Sequence, residues 1–501
     1  MKNESISLGK IFRGAVLILA GFLGGGVLTL GLQVMLARYF QPDLYGLFSQ
    51  GMSVLYTLVM VSLLGMNAGI SRHISYNSGD EKEAARAVGS SLLVVFPLSV
   101  FLFAALFLNA ELVAEQIFSD SRMTEVLKIF AFAGPAMAVN SILISGFRGH
   151  QRSRERVVFL DFVIPFLQIL LVGALVFTGY QIAGTVAGYA SAFVISSFGL
   201  VYWYRKNYSF SYGRETLDEL VRLSWPLMVS AVVAQVFIWS PPIIVGALAT
   251  SRDSGLLNTA LPLASSAKMF LSSVAFLYLP VISELYGKDQ LEELKEVHSS
   301  ASRWITYLAV PLLGYFFFHS SSAIGYVFGE SYAVAGTALS VMALGFLFNS
   351  VTGPLGELLI AAGKTRREMV ANTAKLGLFT LISFLLIPEL GFLGAAVAYA
   401  AGLVIGDLAR LFFGRDSVGF FYDRNFLKPM VAVSGSFLLT SPLSTGFIPL
   451  IAAWGLIYST LMVLMRPLSE TDHEMIVSEL EERGLDHPQV VRAISFLTQG
   501  R

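Results

Sequence analysis

The 501-residue chain has no cysteine. Disulfides, iron–sulfur clusters and thiolate zinc sites are thereby excluded, while the compartment is left open. Charge is scarce as well: Asp, Glu, Lys and Arg make up 14% of residues, where soluble domains carry about a quarter. Neither sign dominates, 34 basic residues facing 34 acidic ones, so there is no bulk electrostatic drive toward nucleic acid. The six histidines (His73, His150, His298, His319, His473 and His487) are scattered without metal-ligand spacing, and neither metal nor cofactor is expected. No phosphate-binding loop, glycine-rich dinucleotide fingerprint or nucleophile elbow occurs, which speaks against ATP hydrolysis by this chain.

What is abundant is apolar length. Hydrophobic residues form 55% of the chain and gather in blocks such as 15–37, 92–108, 157–177 and 376–388. A bilayer core about 30 Å thick needs about 20 apolar residues per helix. The first block follows Lys2, Lys10 and Arg13 in the manner of a signal peptide. It is longer than the roughly 7–15 residues of a signal core, so an uncleaved first transmembrane helix is expected.

The blocks and breaks predict an all-α polytopic membrane protein with about fourteen transmembrane helices: 14–38, 44–66, 87–108, 125–147, 157–178, 182–203, 223–249, 256–282, 303–328, 334–361, 370–388, 391–413, 428–443 and 446–465. Pro429, Pro442 and Pro449 crowd the last pair, which makes twelve the fallback. Pro42 ends the first helix, because proline lacks an amide donor and restrains the residue before it. Segments 177–180 and 388–391 read as tight hairpins.

Basic residues alternate between loops. One set of loops, with the tail, holds 29 of the 34; the rest of the chain holds only Arg38, Arg122, Lys128, Arg252 and Lys268. Positive loops stay cytoplasmic. Both termini are therefore expected inside the cytoplasmic membrane, which demands an even helix count. The outer loops are short, the longest lying around 109–124. In the tail, acids alternate with Met475, Ile476, Val477 and Leu480, the pattern of a short amphipathic helix over 470–483.

The two halves resemble each other. AGTVAGYA at 183–190 matches LGAAVAYA at 393–400, GHQRSRER at 149–156 matches GKTRRE at 363–368, and DLYGL at 43–47 matches DSGL at 253–256. Six helices separate the copies, so the repeat is parallel. It predicts two six-helix lobes, 1–213 and 214–425, followed by two helices in 426–466 and a cytoplasmic tail, 467–501.

Several segments carry a family resemblance. LARYFQPDLYGLF at 36–48, LLGMNAGISRHI at 63–74, SGFRGHQR at 145–152 and IAAGKT at 360–365 resemble polysaccharide transporters of the MOP flippase superfamily, over about residues 8–465. The resemblance implies a flippase that carries polyprenyl-diphosphate-linked oligosaccharide outward by alternating access, for surface polysaccharide or glycoprotein assembly. Its partners would be that lipid-linked oligosaccharide, membrane lipids and nearby glycosyltransferases, with the chain itself a monomer and not an enzyme.

Candidate cavity residues follow from depth. Lys268 lies within the eighth span, and a cation at the bilayer centre costs about 2.5–3.5 kcal/mol. It is expected to line water and meet the substrate diphosphate, or else to pair with an acid such as Glu357 or Asp161. Arg38 and Arg252 close the outer ends of helices 1 and 7, at corresponding places in the repeat, and Arg72 ends helix 2 on the inner side. All three are either substrate contacts or ordinary interfacial arginines. Asp161, Glu357 and Asp407 sit in apolar blocks, where a carboxyl group can carry a proton. Asp407 stands three residues from Arg410, so a local pair competes with that role. The glycines of 21–26 mark either a bend in the first helix or close packing through Gly21 and Gly25. The main alternative is a multidrug or small-cation antiporter of the same superfamily, whose cavity should be acidic; Lys268 and the lack of a central carboxylate argue against it. A membrane-embedded glycan polymerase or glycosyltransferase would need a sizeable outer loop.

Overall fold

The structure is a computed structural model that describes residues 21–498 except 22, 78–79, 151, 178, 180, 419–423, 444–445, 469–471, 474–476, 478–494 and 496. Among the described residues it is almost wholly helical. Helix α1 covers 23–39, and α2 is Pro42–Leu63, with Pro42 in its first turn, where no amide donor is needed. Then come α3 (Met66–Tyr76), α4 (Glu81–Leu108), α5 (Ala110–Gln116) and α6 (Met123–Gly149). The short α7 (Ser153–Arg156) runs through a π-helical turn, Val157–Val163, into α8 (Ile164–Phe177). Next are α9 (Ile182–Asn207), α10 (Arg214–Leu248), α11 (Ser251–Ser265) and α12 (Lys268–Gly287). The chain continues through α13 (Leu291–Phe318), α14 (Ser320–Phe328), α15 (Gly336–Thr352), α16 (Leu355–Ala361), α17 (Thr365–Leu390) and α18 (Phe392–Val418), and ends with α19 (Lys428–Thr440) and α20 (Phe447–Leu464).

Nine of the described helical stretches are long and apolar enough to cross a bilayer, or ten when α13 and α14, bent by 89° at His319, count as one span. The remaining four expected segments correspond to α1, α10, the broken pair α11–α12 and α19. The last pair is helical in both members, although α19 has only 13 residues.

Three breaks part neighbouring helices, each for a local reason; two fall inside spans read as continuous, 256–282 and 334–361, and one at the end of the span expected over 44–66. Leu64 and Gly65, both left-handed, part α2 from α3. Gly353 (φ +71°) and Pro354 part α15 from α16. The third break separates α11 from α12. Pro262 cannot donate to the preceding turn, and the hydroxyls of Ser265 and Ser266 bond the carbonyls of Pro262 and Leu263 at 3.2 and 2.6 Å. The ladder then tightens to i→i+3 bonds from Ser266, Met269 and Phe270. The hairpin at 388–391 is present, turning on Gly391 with φ +55°; in the one at 177–180, Gly179 has φ +85°.

The outward surfaces are apolar: Leu385, Leu438 and Leu456 are each at least 64% exposed. Apolar surface on this scale fits lipid, not water. Polar groups are paired inside instead. On α6, Asn140 donates to the Phe193 carbonyl and to Ser196 Oγ and accepts from Ser197, the interhelical bonding that holds membrane helices together. Gly21 and Gly25 are packing positions: a Cβ on either would collide with Val157 or Asp161. Tertiary contacts divide the chain into two compact units, one formed by 1–258 with 383–395 and the other by 259–382 with 396–501.

In the second unit the chain beyond α20 is anchored. Arg303 (6% exposed) donates to Asp472 (fully buried) at 3.1 Å and to Ser299 and Ser300 at 2.8 Å. Trp304 Nε1 donates to the same carboxylate at 3.2 Å, and Tyr307 Oη to the Pro467 carbonyl at 2.8 Å. Most of the amphipathic helix expected over 470–483 lies outside the described residues. Breaking one partner of a buried pair costs about 3–5 kcal/mol. Asp472→Ala is therefore expected to lower the melting temperature of the detergent-solubilised protein and to speed tryptic cleavage beyond residue 466. A wild-type melting curve and digestion rate would contradict this anchoring.

Candidate functional site

Two features hold polar chemistry at membrane level, one in each unit. In the first unit, α2 and α11 cross backbone to backbone. A Cβ on Gly46 would lie 1.6 Å from the Ser251 carbonyl oxygen and 2.9 Å from Gly255 N. A Cβ on Gly255 would lie 1.9 Å from the Pro42 carbonyl oxygen and 2.9 Å from Gly46 N. Contacts this short exclude any side chain at either position. The two glycines belong to the matched repeat motifs, DLYGL and DSGL, and their contacts are reciprocal, as a two-fold relation between the motifs requires.

Hydrogen bonds flank this crossing. Asn258 Nδ2 donates to Tyr45 Oη at 3.1 Å. Arg122 bridges Asp43 at 2.5 Å and Asp120 at 2.7 Å, and Ser251 Oγ donates to Asp120 at 3.3 Å. The hydrogen bond from Arg122 holds the Asp120 carboxyl below the usual carboxylate range. On the other flank Asp253 accepts from the Phe392 amide at 3.2 Å and from the Thr250 hydroxyl. Deeper along α2, Tyr56 stacks on Trp239 with centroids 4.0 Å apart and shares a hydrogen bond with Tyr189 at 3.1 Å.

In the second unit, α12, α15, α16, α17 and α18 bring six ionisable side chains into one electrostatic neighbourhood. Arg410 donates to Glu368 through Nε at 2.9 Å and through a terminal nitrogen at 2.6 Å, a two-bond grip. It also donates to Asp407 at 2.8 Å and to Asn372 at 2.9 Å. Asp407, 2% exposed, takes a further bond from Asn349 at 2.9 Å. Lys268, Lys375 and Glu357 interact with this core electrostatically. The Lys268 ammonium sits over the Phe346 ring, 5.1 Å from its centroid, within cation–π range. Lys268, Lys375 and Arg410 balance Glu357, Glu368 and Asp407 in formal charge.

The structure corrects part of the sequence reading. Lys268 does not sit in the middle of a continuous helix; it opens α12 directly after the break. It is not a lone cation either, since Asp407 attracts it. The acid that partners it is Asp407 rather than Glu357 or Asp161, and Asp161 belongs to the other unit. Asp407 and Arg410 do form the local pair.

Of the other candidates, Glu357 belongs to the charged neighbourhood just described and Arg252 lies on α11 beside the crossing. Arg38 is exposed near the end of α1, Arg72 is exposed on α3, and Arg252 is exposed in the first turn of α11 rather than at the end of α10. Asp161 lies in the π-helical turn against Gly25, and its Oδ2 is buried with no hydrogen-bond partner among the described residues. Glu357 follows the Gly353–Pro354 break on α16. Sequence reasoning missed Glu368, Asn372 and Lys375, at and just before the start of the span expected over 370–388. Their i, i+4, i+7 spacing puts them on one face of α17, a signal the sequence carried.

The model of the "Polysaccharide biosynthesis protein" family matches residues 11–286, and the MatE family model matches 226–385. Stage V sporulation protein B of Bacillus subtilis (strain 168) is 23% identical over 428 residues, covering 79% of this chain and 82% of that protein. The probable low-salt glycan biosynthesis flippase Agl15 of Haloferax volcanii is 22% identical over 262 residues, covering 50% of this chain and 55% of that protein. Among solved structures, a lipid II flippase MurJ in an inward closed conformation superimposes with a TM-score of 0.76 at 16% identity, covering 90% of this chain and 98% of that one. An inward-facing multidrug resistance MATE transporter of the MOP superfamily gives 0.66 at 14% identity, covering 81% and 98%.

The fold is thus that of a multi-pass MOP-superfamily transporter. Within that class, the chain belongs to the polysaccharide biosynthesis protein family, whose model covers more than half of it.

Overpacking a tight contact typically costs about 1–3 kcal/mol, and the backbone atoms facing Gly255 leave no room for relief. Gly255→Leu and Gly46→Leu are each expected to lower the melting temperature of the solubilised protein. Gly26→Ala, where a Cβ would meet nothing within 4 Å, is expected to leave it unchanged. Equal melting temperatures for all three would show that the crossing is not maintained.

Proposed function

We propose that this protein is a flippase that moves a polyprenyl-diphosphate-linked oligosaccharide across the cytoplasmic membrane by alternating access, with both termini on the cytoplasmic face. Family membership and the relatives described as flippases support the transport class. The alternation of basic loops supports the orientation. The glycan and its diphosphate cannot cross hydrocarbon unaided, so the passage must offer water and cations at membrane depth, while the lipid tail stays in the bilayer.

The observation that carries the reading is the ion cluster around Lys268. Arg410 is committed to Glu368 and Asp407, whereas the contact seen for the Lys268 ammonium is an aromatic ring. In this reading Lys268 receives the diphosphate, and Asp407 balances the ammonium between transport cycles. The two six-helix lobes of the internal repeat move against each other, and the Gly46–Gly255 crossing shuts the outer face. Arg38 and Arg252 meet the diphosphate near the outer surface and Arg72 near the inner one. Asp161, whose Oδ2 has no described partner, is the carboxyl group best placed to exchange a proton or cation; Glu357 and Asp407 are more closely tied to the cluster. Catalysis of a chemical step forms no part of the proposal, and the chain acts as a monomer near the glycosyltransferases that supply its substrate.

The antiporter reading keeps one supporting observation, the MatE model over 226–385. Balanced formal charge in the cluster favours neither sign of substrate; the Lys268 ammonium over the Phe346 ring is what favours a diphosphate over a cationic drug.

A flipping assay in proteoliposomes with fluorescent polyprenyl-diphosphate oligosaccharide tests the proposal. A hydrogen bond to a charged group is worth about 1.5–3 kcal/mol, so Lys268→Ala is expected to slow flipping by about tenfold or more, with partial recovery in Lys268→Arg. Unchanged flipping in Lys268→Ala would remove that residue from the mechanism. Wild-type liposomes that expel a cationic dye and leave the glycolipid in place would favour the antiporter.

A further inference from the structure

Outside both polar features, the first unit contains a cavity of about 290 Å³ where the start of α4 meets the ends of α6 and α9. Arg205, Lys206, His150, Tyr208 and Glu81 line it. It lies on the face that the basic loops assign to the cytoplasm. We propose that this cavity binds the phosphodiester headgroup of a membrane glycerophospholipid, with an acyl chain laid along α9.

Three observations converge on that ligand. The first is charge: Arg205 and Lys206 supply two cations against the single carboxylate of Glu81, so an anion is favoured. The second is an unused donor or acceptor. His150 stacks on Tyr208, centroids 4.2 Å apart and planes 19° from parallel, and its Nε2 is buried without a hydrogen-bond partner among the described residues. Burial, assisted by the Arg152 charge, pushes the imidazole below its ordinary value. His150 is therefore a neutral ring at physiological pH. The tautomer with its proton on Nε2 would offer that N–H to a phosphate oxygen, as unpaired buried polar groups require.

The third observation is the apolar track that leads from the cavity into the membrane. Phe198, Tyr202 and Lys206 stand at i, i+4 and i+8 of α9, so they share one face. Phe198 and Tyr202 are 73% and 71% exposed, and Ile195 is exposed one turn before Phe198. A soluble phosphate would use the cations and ignore this track. An amphiphile uses both: phosphate at Arg205 and Lys206, hydrocarbon along Tyr202, Phe198 and Ile195. Glu81 adds selectivity. Its carboxylate suits a headgroup amine beyond the phosphate, which phosphatidylglycerol lacks, so phosphatidylethanolamine should bind more tightly than phosphatidylglycerol.

The test uses full-length, delipidated protein in detergent. Dioleoyl-phosphatidylethanolamine, dioleoyl-phosphatidylglycerol or inorganic phosphate is added, with retained lipid read by native mass spectrometry and stabilisation by thermal shift. The wild type should retain phosphatidylethanolamine and melt higher with it, while inorganic phosphate at equal concentration leaves melting unchanged. Both cations are exposed, so R205A/K206A should fold and melt as wild type without lipid. It should bind the lipid about tenfold more weakly, the loss expected for a charge-assisted contact. Phe198→Ser should weaken lipid binding as well, and Glu81→Gln should abolish the preference for the amine headgroup. Undiminished lipid retention by both R205A/K206A and Phe198→Ser would overturn the proposal. So would an equal thermal shift from inorganic phosphate, which would assign the cavity to a soluble anion. If the double variant melts low without lipid, Arg205→Gln alone carries the same comparison.

Discussion

Two helices can touch backbone to backbone only where neither carries a side chain at the contact, and α2 and α11 meet in this way at Gly46 and Gly255. Much of the surrounding structure follows from that approach. It brings Tyr45 within hydrogen-bonding distance of Asn258, and Ser251 within reach of Asp120. It also places the two repeat aspartates, Asp43 and Asp253, on opposite flanks, each with its own partner: Arg122 for the first, the start of α18 for the second. Around it the side chains of Tyr45, Leu47, Ser254 and Leu257 are fully buried.

The charged cluster of the second unit obeys a different constraint. Ions inside hydrocarbon must be matched or hydrated. Arg410 achieves the match by making four hydrogen bonds, two to Glu368 and one each to Asp407 and Asn372. An array satisfied to that degree is rigid, and its rigidity sets the stage for Lys268, whose ammonium is supported by an aromatic face and the field of Asp407. The break before Lys268 belongs to the same design. Pro262, Ser265 and Ser266 interrupt the helix directly before Lys268.

The fold was legible in the sequence because bilayer thickness dictates apolar length and because loop charge alternates. The helix interruptions were less legible. Hydropathy is blind to whether an apolar run is one helix or two, and only local chemistry, such as Gly353 before Pro354 or the serine pair after Pro262, announces a break. At the candidate site, the pairing of Asp407 with Arg410 could be read from their spacing. The assembly of Lys268, Glu368, Lys375 and Arg410 could not, because residues from separate helices meet only through tertiary packing. The repeat motif was visible in outline, yet nothing in DLYGL or DSGL states that its glycine would press against its own counterpart.

The central claim is that the α2–α11 crossing must open for transport. The natural absence of cysteine makes it directly testable. In a Tyr45→Cys/Asn258→Cys variant, reacted with a short bifunctional thiol reagent and reconstituted in proteoliposomes, the crossing is tied shut. The account predicts that the linked protein stops flipping lipid-linked oligosaccharide and that cleaving the linker with reductant restores the rate of the unlinked variant. Flipping at an undiminished rate while the link is intact would contradict it.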